Sequence, residues 1–416
     1  MDLIIGAGIS GLSYAATTTN DYLIIEADHE IGGYCKTIYQ DGFIWDYSGH
    51  FFHFQHPELR DYVMRHINDD EMLNVEKHTQ ILYGDRHIDF PFQMNIHQLR
   101  QEEFIDCLYD LFTVEPKTNF SSFKDMIYTK FGKSISEKFL IPYNTKLYAT
   151  DLDKLDVDAM GRFFPYADKE QIVKNFRKKQ GEYYNATFLY PKSGCMRIVN
   201  SVASNVDKDK ISLGEQMISV NTAQHTVTTN MRSLHYDNLI STIPFPKLLD
   251  ACGLDYDRTL YSWNKVLVFN LGFDSKGPER INSWIYIPEN KYVFYRVGFY
   301  DNILGQERTS LYVEIGFGKD DVIGDKEALL QRTLADLIDA GIITDKMRLV
   351  SHNCVIMNPA YVHITQQSEE DKKQQMLCLA KNNIYSIGRY GEWKYCSLED
   401  NMFDAFMLSK SIGGHK

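Results

Sequence analysis

Three glycines and one acidic residue near the start of the chain have the types and spacing to hold a phosphate-bearing cofactor. A short apolar strand runs into Gly6, Gly8 and Gly11, and Glu26 closes the next apolar run about 20 residues after the first glycine. Gly6 permits a tight turn, Gly8 lets a pyrophosphate approach bare backbone, and Gly11 lets the following helix pack closely on its strand. The helix directs unpaired N–H groups at the phosphates, and Glu26 can accept from ribose hydroxyls. The pattern predicts a dinucleotide-binding turn; a glycine-rich turn that binds nothing is the alternative.

A second glycine pair indicates which dinucleotide is bound. Gly32 and Gly33 begin six residues after Glu26, where nicotinamide-dependent enzymes have no such doublet. The pair resembles the one that packs against the cofactor in FAD-binding flavoproteins of the amine oxidase and protoporphyrinogen oxidase superfamily. FAD is therefore the expected cofactor, in preference to NAD.

Five segments spread over nearly the whole chain carry a more specific resemblance. They are Ile-Asp-Phe-Pro-Phe-Gln-Met-Asn-Ile at 88–96, Ile-Pro-Tyr-Asn-Thr-Lys-Leu-Tyr-Ala at 141–149, Asn-Ala-Thr-Phe-Leu-Tyr-Pro at 185–191, the aromatic-rich segment 284–296, and Gly-Arg-Tyr-Gly-Glu-Trp-Lys-Tyr at 388–395. Together they resemble the UDP-galactopyranose mutases, most closely the eukaryotic branch. The resemblance implies an isomerase that interconverts the pyranose and furanose forms of UDP-galactose or a related UDP-sugar. In such mutases the flavin is reduced, forms an adduct with the sugar as UDP leaves, and consumes no net electrons.

The resemblance also implies which residues contact the departing diphosphate, since charge growing on the leaving oxygen needs cations and hydroxyl donors. By motif match these are Arg296, Arg162, Tyr361 and Tyr395. In the last segment Gly388 and Arg389 are the expected cofactor contacts, and Arg389 matches the arginine that lies close to the flavin and the sugar. The alternatives are an ordinary surface arginine for Arg162, a packed tyrosine for Tyr361 and a structural salt bridge for Arg389.

Uracil recognition needs an aromatic face and an amide that reads a donor and acceptor edge. The residues that match the family's segments for this task are Phe90, Phe92, Gln93, Asn144 and Tyr148. Asn185 is expected to reach the sugar or a phosphate, or else to satisfy a turn. The alternative for Phe90 and Phe92 is that they are core aromatics beside a turn proline.

The histidines at 50, 53 and 56 invite a metal-binding interpretation, which their surroundings do not support. Three-residue spacing in a strand-like stretch alternates faces, and no nearby carboxylate or thiolate completes a ligand set, so no metal is expected. His50 instead matches the histidine of a mobile Gly-Gly-His loop that contacts the flavin in the mutases, and it joins Arg296 and Arg389 as the expected catalytic residues. Ser48 stands where that family has the first glycine, and serine narrows the backbone conformations open to the loop.

Local patterns predict the elements that must position these residues. Apolar residues at helical spacing predict helices over 97–112, 120–132 and 326–340, whereas 211–245 and 261–316 alternate like strands. The expected fold class is α/β: a Rossmann-like FAD-binding domain with a helical insertion and an antiparallel sheet domain.

The chain is long enough for more than one domain. We assign residues 1–85, 186–245 and 382–416 to a discontinuous FAD-binding domain, 86–185 to a helical substrate-binding domain, and 246–381 to the sheet domain.

Composition limits the partners and the compartment. The 416 residues are 44% hydrophobic and 24% charged, and the net charge of −12 argues against nucleic acid as a partner. Seven scattered cysteines without a CxxC pair suit reduced thiols, and no apolar run approaches the length that crosses a bilayer. We therefore expect a cytoplasmic enzyme with a UDP-sugar as substrate, NAD(P)H or another reductant for the flavin, and no membrane partner. The sugar, the reductant and the oligomeric state stay open.

The superfamily fingerprint alone equally permits a second function, an FAD-dependent amine oxidase or dehydrogenase. An amine oxidase uses an aromatic, uncharged cage, whereas Arg296, Arg389, Tyr361 and Tyr395 compose a diphosphate clamp. The sequence favours the mutase.

Overall fold

The computed structural model describes residues 1–177 and 186–413. Its α-helices are Ile9–Ala15, Pro57–Met64, Gln101–Thr113, Phe123–Ile135, Ile141–Tyr148, Lys169–Asn175, Met196–Ala203, Phe245–Ala251, Tyr300–Leu304, Lys326–Asp339, Gln366–Ala380, Gly388–Gly391 and Leu398–Ile412. Its β-strands are Asp2–Ile5, Tyr22–Glu26, Thr37–Gln40, Phe43–Asp46, Met72–Glu76, Thr79–Tyr83, Arg86–Asp89, Thr187–Pro191, Ile211–Leu213, Met217–Asn221, Thr226–Thr229, Ser233–His235, Asn238–Ser241, Ser262–Phe273, Trp284–Tyr286, Arg296–Phe299, Ser310–Gly318, Leu349–Met357, Val362–His363 and Ile384–Ser386.

The N-terminal strand lies at the centre of a five-stranded parallel sheet. Asp2–Ile5 pairs with Tyr22–Glu26 on one side and with Asn238–Ser241 on the other. Ile211–Leu213 and Ile384–Ser386 extend the sheet at its two ends. Helices pack on both faces, which is why the central strand is buried throughout and apolar from Leu3 to Ile5. The sheet is therefore a Rossmann-like unit assembled from distant parts of the chain.

The five described strands between residues 262 and 357 belong to a larger, mainly antiparallel sheet. Ser262–Phe273 is its longest strand, next to one edge of the sheet, and pairs with both Ser310–Gly318 and Leu349–Met357. The hairpin of Thr79–Tyr83 and Arg86–Asp89 joins the far edge of this sheet. The domain boundary predicted after residue 85 therefore falls inside a hairpin, because the first strand of the hairpin pairs with a segment some 200 residues away and local pattern does not report such a partner.

The segment between the hairpin and residue 177 is mostly helical. Gln101–Thr113 and Phe123–Ile135 pack their apolar faces into one cluster, which includes Cys107 and Leu111 from the first helix. Ser122 begins the second helix, and its hydroxyl accepts from the backbone N–H of Asp125 at 3.1 Å. Parallel sheet, helical region and antiparallel sheet together confirm the predicted α/β fold class. No helix in the described part of the chain is both long and apolar enough to span a membrane.

Candidate active site

A cavity of ≈1060 Å³ lies where the parallel sheet, the antiparallel sheet and the C-terminal helices meet. The carboxyl ends of strands Asp2–Ile5 and Tyr22–Glu26 reach its wall, the place where open parallel sheets bind ligands. Eleven of the expected site residues line it: Gly6, Gly8, Glu26, Gly32, Gly33, His50, Arg296, Tyr361, Gly388, Arg389 and Tyr395. The fold thus brings the glycine-rich turn and both expected catalytic arginines to one cavity.

Two glycines of the turn serve different purposes. A Cβ on Gly8 would meet no atom within 4 Å, so this backbone faces open cavity space. A Cβ on Gly11 would lie 2.0 Å from the carbonyl oxygen of Gly6, so only glycine lets the helix begin this close to its strand. Bare backbone at Gly8 fits the close approach of a pyrophosphate.

Glu26 is held at the edge of the cavity by the backbone around it. Its Oε2 accepts from the N–H of Ala7 at 2.7 Å, and its Oε1 accepts from the N–H of Asp28 at 2.9 Å. These bonds fix the carboxylate beside the turn, where it fits a ribose hydroxyl. The bare backbone of the glycine turn and the carboxylate of Glu26 therefore fit a dinucleotide.

Arg389 brings a positive charge into the cavity. Its guanidinium lies 4.7 Å from the ring centroid of Tyr395 and 5.2 Å from that of Tyr361, and these two rings stack at 5.8 Å. Its Nη1 donates to the carbonyl oxygen of Cys396 at 3.2 Å. Within residues 1–177 and 186–413 no acidic side chain forms an ion pair with it, so the structural salt bridge considered as an alternative is not formed there. A cation held by aromatic rings and a carbonyl is suited to an anionic ligand.

Arg296, in contrast, already has a carboxylate partner. Arg296 and Glu314 face each other on adjacent antiparallel strands, so their side chains project from the same face of the sheet. Arg296 Nε donates to Glu314 Oε2 at 2.8 Å, and Nη2 donates to Oε1. The Glu314 side chain is 1% exposed and lines the cavity with its partner. A buried carboxylate thus orients this arginine, and an anion that binds there must share it.

His50 lines the cavity as a neutral imidazole. Burial lowers the pKa of His50 to about 4, and its Nδ1 donates to the carbonyl oxygen of Ser48 at 3.1 Å. His53 and His56 lie against phenylalanine rings outside this cavity. The described residues contain no group of three or more His, Cys, Asp or Glu side chains that could hold a metal ion.

The aromatic residues expected at the uracil lie in the helical region. Phe92 and Tyr148 are fully buried in its apolar cluster. Phe92 stacks on Phe139 at 5.3 Å, and Tyr148 lies edge-on behind Tyr361 at 6.0 Å. Phe90 is partly buried and packs against a tyrosine ring of the antiparallel sheet. Phe92 therefore has the surroundings of a core aromatic, and the role of all three in binding uracil stays a prediction.

The two amides expected at the uracil are also interior residues, and neither is fully satisfied. Gln93 Nε2 donates to the carbonyl oxygen of Pro165, and Asn144 Nδ2 donates to that of Leu140 at 2.7 Å. The side-chain oxygens of both amides are buried without a hydrogen-bond partner among the described residues. They do not belong to the cavity wall in this structure, so uracil recognition by them stays a prediction.

Arg162 lies outside the cavity wall and is engaged elsewhere. Its Nη2 donates to both carboxylate oxygens of Asp400, at 2.7 and 2.9 Å, and its Nη1 donates to Gln55 Oε1 at 2.6 Å. Its contact with a diphosphate stays a prediction. Asn185 falls outside the described residues.

Glu314 is a charged residue of the cavity wall that the sequence analysis did not predict. Its partner Arg296 is 18 residues away, and the contact depends on the register of two strands. One local signal was present: Glu314 interrupts an apolar strand between Val313 and Ile315. An acid in a buried strand needs a charged or hydrogen-bonding partner.

Comparison with known proteins identifies the family. The sequence profile described as flavin containing amine oxidoreductase matches residues 9–342. A UDP-galactopyranose mutase solved in its reduced form superposes with a TM-score of 0.92 at 22% identity, over 99% of this chain and 95% of that one. An oxidoreductase from Methanosarcina mazei gives a TM-score of 0.67 at 12% identity, over 98% of this chain and 99% of the other. A CLA-producing fatty acid isomerase from P. acnes gives 0.64 at 13%, over 98% and 97%.

The structural likenesses show a shared fold, and the profile match shows the family because it spans most of the chain. A flavin is accordingly the cofactor of this protein, and its binding by the glycine-rich turn stays a prediction. The protein belongs to the family of flavin containing amine oxidoreductases.

Proposed function

We propose that this protein is a flavin-dependent mutase that interconverts the pyranose and furanose forms of a UDP-sugar, UDP-galactose or a close relative, with FAD in its reduced form. The observation that carries the proposal is Arg389, a guanidinium in the cavity that no carboxylate of the described residues neutralises. Arg296 lies in the wall of the same cavity. The unneutralised charge of Arg389 attracts a diphosphate and repels a protonated amine. The likeness to a UDP-galactopyranose mutase supports this choice.

The side chains of the cavity have roles in the departure of UDP. Arg389 and Arg296 stabilise the charge that develops on the diphosphate oxygen as the bond to the sugar breaks. The phenols of Tyr361 and Tyr395 donate hydrogen bonds to the same group. Burial raises the pKa of Tyr361, so its phenol keeps its proton at neutral pH.

His50 lines the same cavity and would lie beside the cofactor. The low pKa of His50, about 4, keeps the imidazole neutral, so it adds no further positive charge beside the cofactor. The flavin, when bound and reduced, supplies the electron pair that displaces UDP. The glycine turn at Gly8 orients that cofactor through its pyrophosphate.

The family match favours one other candidate, an FAD-dependent amine oxidase or dehydrogenase. An oxidase works with oxidised flavin and needs an acceptor in every turnover. The charge of Arg389 opposes a cationic amine substrate, which is why we place this candidate second.

The proposal is tested by incubating the dithionite-reduced protein anaerobically with a panel of UDP- and dTDP-hexoses and separating the products by chromatography. We expect a ring isomer from at least one UDP-hexose, and none from the oxidised protein. Arg389→Gln should lose this activity by at least about a hundredfold. Arg308→Gln is the matched control, because Arg308 is an exposed arginine stacked on Phe43 outside the cavity wall. No isomer from any nucleotide sugar, together with consumption of an amine, would reject the mutase.

A further inference from the structure

Ser48, the residue that departs from the glycine of the mutases, makes a specific contact in the cavity. Its hydroxyl donates to Oε1 of Glu314, and the serine is 5% exposed. A glycine at this position has no donor to offer. The departure therefore adds a hydrogen bond between the loop that carries His50 and the antiparallel sheet.

The Glu314 oxygen that accepts from Ser48 also accepts from Arg296. Glu314 Oε1 accepts both from Ser48 and from Nη2 of Arg296, while Oε2 accepts from Arg296 Nε. The Glu314 carboxylate is buried, so among the described residues its hydrogen bonds come from Ser48 and Arg296. A change at one donor must alter the strength of the bond to the other.

The other end of the contact is the backbone of the His50 loop. The carbonyl of Ser48 accepts from Nδ1 of His50 at 3.1 Å. Just before the loop, the carboxylate of Asp46 accepts from Thr37, Tyr190 and the N–H of Cys195. These bonds fix the chain at Asp46. Two residues later, the hydrogen bond from Ser48 to Glu314 connects the His50 loop to the antiparallel sheet.

We propose that Ser48 is a positioning residue that couples the His50 loop to the anion-binding arginine through the carboxylate of Glu314. When a diphosphate draws the guanidinium of Arg296 toward itself, Glu314 Oε1 loses part of one donor and binds the Ser48 hydroxyl more strongly. Ligand binding at Arg296 then tightens the loop that holds His50. The role of UDP in this coupling rests on the proposed function, whereas the tie between loop and sheet does not.

Hydrogen exchange followed by mass spectrometry measures this coupling on the flavin-loaded protein. The observed segment is residues 47–52, with and without UDP, in the wild type, Ser48→Ala and Ser48→Thr. Ser351→Ala is the matched control, because Ser351 is also 5% exposed and donates to a carboxylate, that of Asp41 at 2.7 Å, outside the cavity. Calorimetric titration with UDP gives the affinity of each variant.

We expect Ser48→Ala to exchange about tenfold faster over 47–52 without UDP, the effect of losing one hydrogen bond to a charged group. Ser48→Thr keeps the hydroxyl and should exchange like the wild type, as should Ser351→Ala in this segment. UDP should slow exchange over 47–52 in the wild type and have little effect there in Ser48→Ala. Its affinity should fall about fivefold in Ser48→Ala, since Glu314 then holds Arg296 alone.

The outcomes separate this inference from the proposed function. If UDP binds the wild type and slows loop exchange equally in Ser48→Ala, the coupling is refuted and the mutase stands. If UDP does not bind the wild type, the mutase is refuted, and a faster loop in Ser48→Ala alone still supports the tie to Glu314. Equal exchange in Ser48→Ala and the wild type without UDP overturns the inference outright.

Discussion

At the scale of single residues, two glycines of the turn have different surroundings: Gly8 faces open space that a ligand can fill, and Gly11 packs against backbone. A Cβ at Gly8 meets no atom within 4 Å, whereas one at Gly11 would lie 2.0 Å from the Gly6 carbonyl oxygen. We expect Gly8→Val to change the free energy of unfolding of the apoprotein by less than about 1 kcal/mol. It should nevertheless abolish flavin retention, because the branched side chain fills the approach of the pyrophosphate. Flavin absorbance after gel filtration and urea unfolding measure the two effects.

Gly11→Val is the paired variant, and it should behave in the opposite order. Its side chain meets backbone rather than open space, so the helix must move and the unfolding free energy should fall by about 3 kcal/mol or more. A Gly8→Val protein that purifies yellow, with one flavin per chain, would show that the cofactor does not use this turn.

At the scale of elements, Lys146 fastens the helix Ile141–Tyr148 to the antiparallel sheet. Its Nζ donates toward four backbone carbonyls of the segment 287–294, at distances from 2.5 to 3.2 Å. Lys146→Met leaves these carbonyls without their donor, so we expect the free energy of unfolding to fall by about 3 kcal/mol. Urea unfolding of the variant measures this loss.

Lys138→Met is the control for Lys146, since Lys138 belongs to the same region and its Nζ lies 3.7 Å from Glu103 near the surface. Its replacement should cost less than about 1 kcal/mol. Equal losses in the two variants would mean that the carbonyl contacts of Lys146 contribute no more than a surface ion pair.

Some of these helices and strands could be predicted from the sequence, and others could not be placed in the fold. Helix Gln101–Thr113 matches the prediction over 97–112 because its apolar spacing is a local property of the chain. The hairpin 79–89 could not be placed in the antiparallel sheet, because its partner strand Trp284–Tyr286 is remote in sequence. For the same reason the contact between Glu314 and Arg296 could not be predicted, because it depends on strand register rather than on neighbouring residues.

At the scale of the whole molecule, buried histidines make stability depend on pH. Burial lowers the pKa of His50, His53 and His363 to about 4, below the value of 6.5 for an exposed histidine. Between these values each of these histidines binds a proton more readily in the unfolded chain than in the folded one, so its contribution to the free energy of unfolding falls as pH falls from 6.5 to 4. Near pH 5.5 each such histidine contributes a slope of about 1.2 kcal/mol per pH unit.

His363→Gln isolates one of these contributions, because His363 is buried outside the cavity wall and contacts Tyr148 and Ser262. Urea unfolding between pH 5 and pH 6 should show a slope lower by about 1.2 kcal/mol per pH unit in the variant. An unchanged slope would mean that His363 titrates alike in the folded and unfolded chains.

The measurement that most directly tests the central claim counts product molecules per flavin. The reduced protein is mixed anaerobically with UDP-galactofuranose or UDP-galactopyranose, and sugar products and flavin absorbance are followed together. If the protein is a mutase, many product molecules should form per flavin while the spectrum stays that of the reduced cofactor, and activity should vanish on oxidation by air. Hydrogen peroxide release tied to an amine substrate, with no isomerisation of the sugar, would contradict the account and assign the protein to the oxidases.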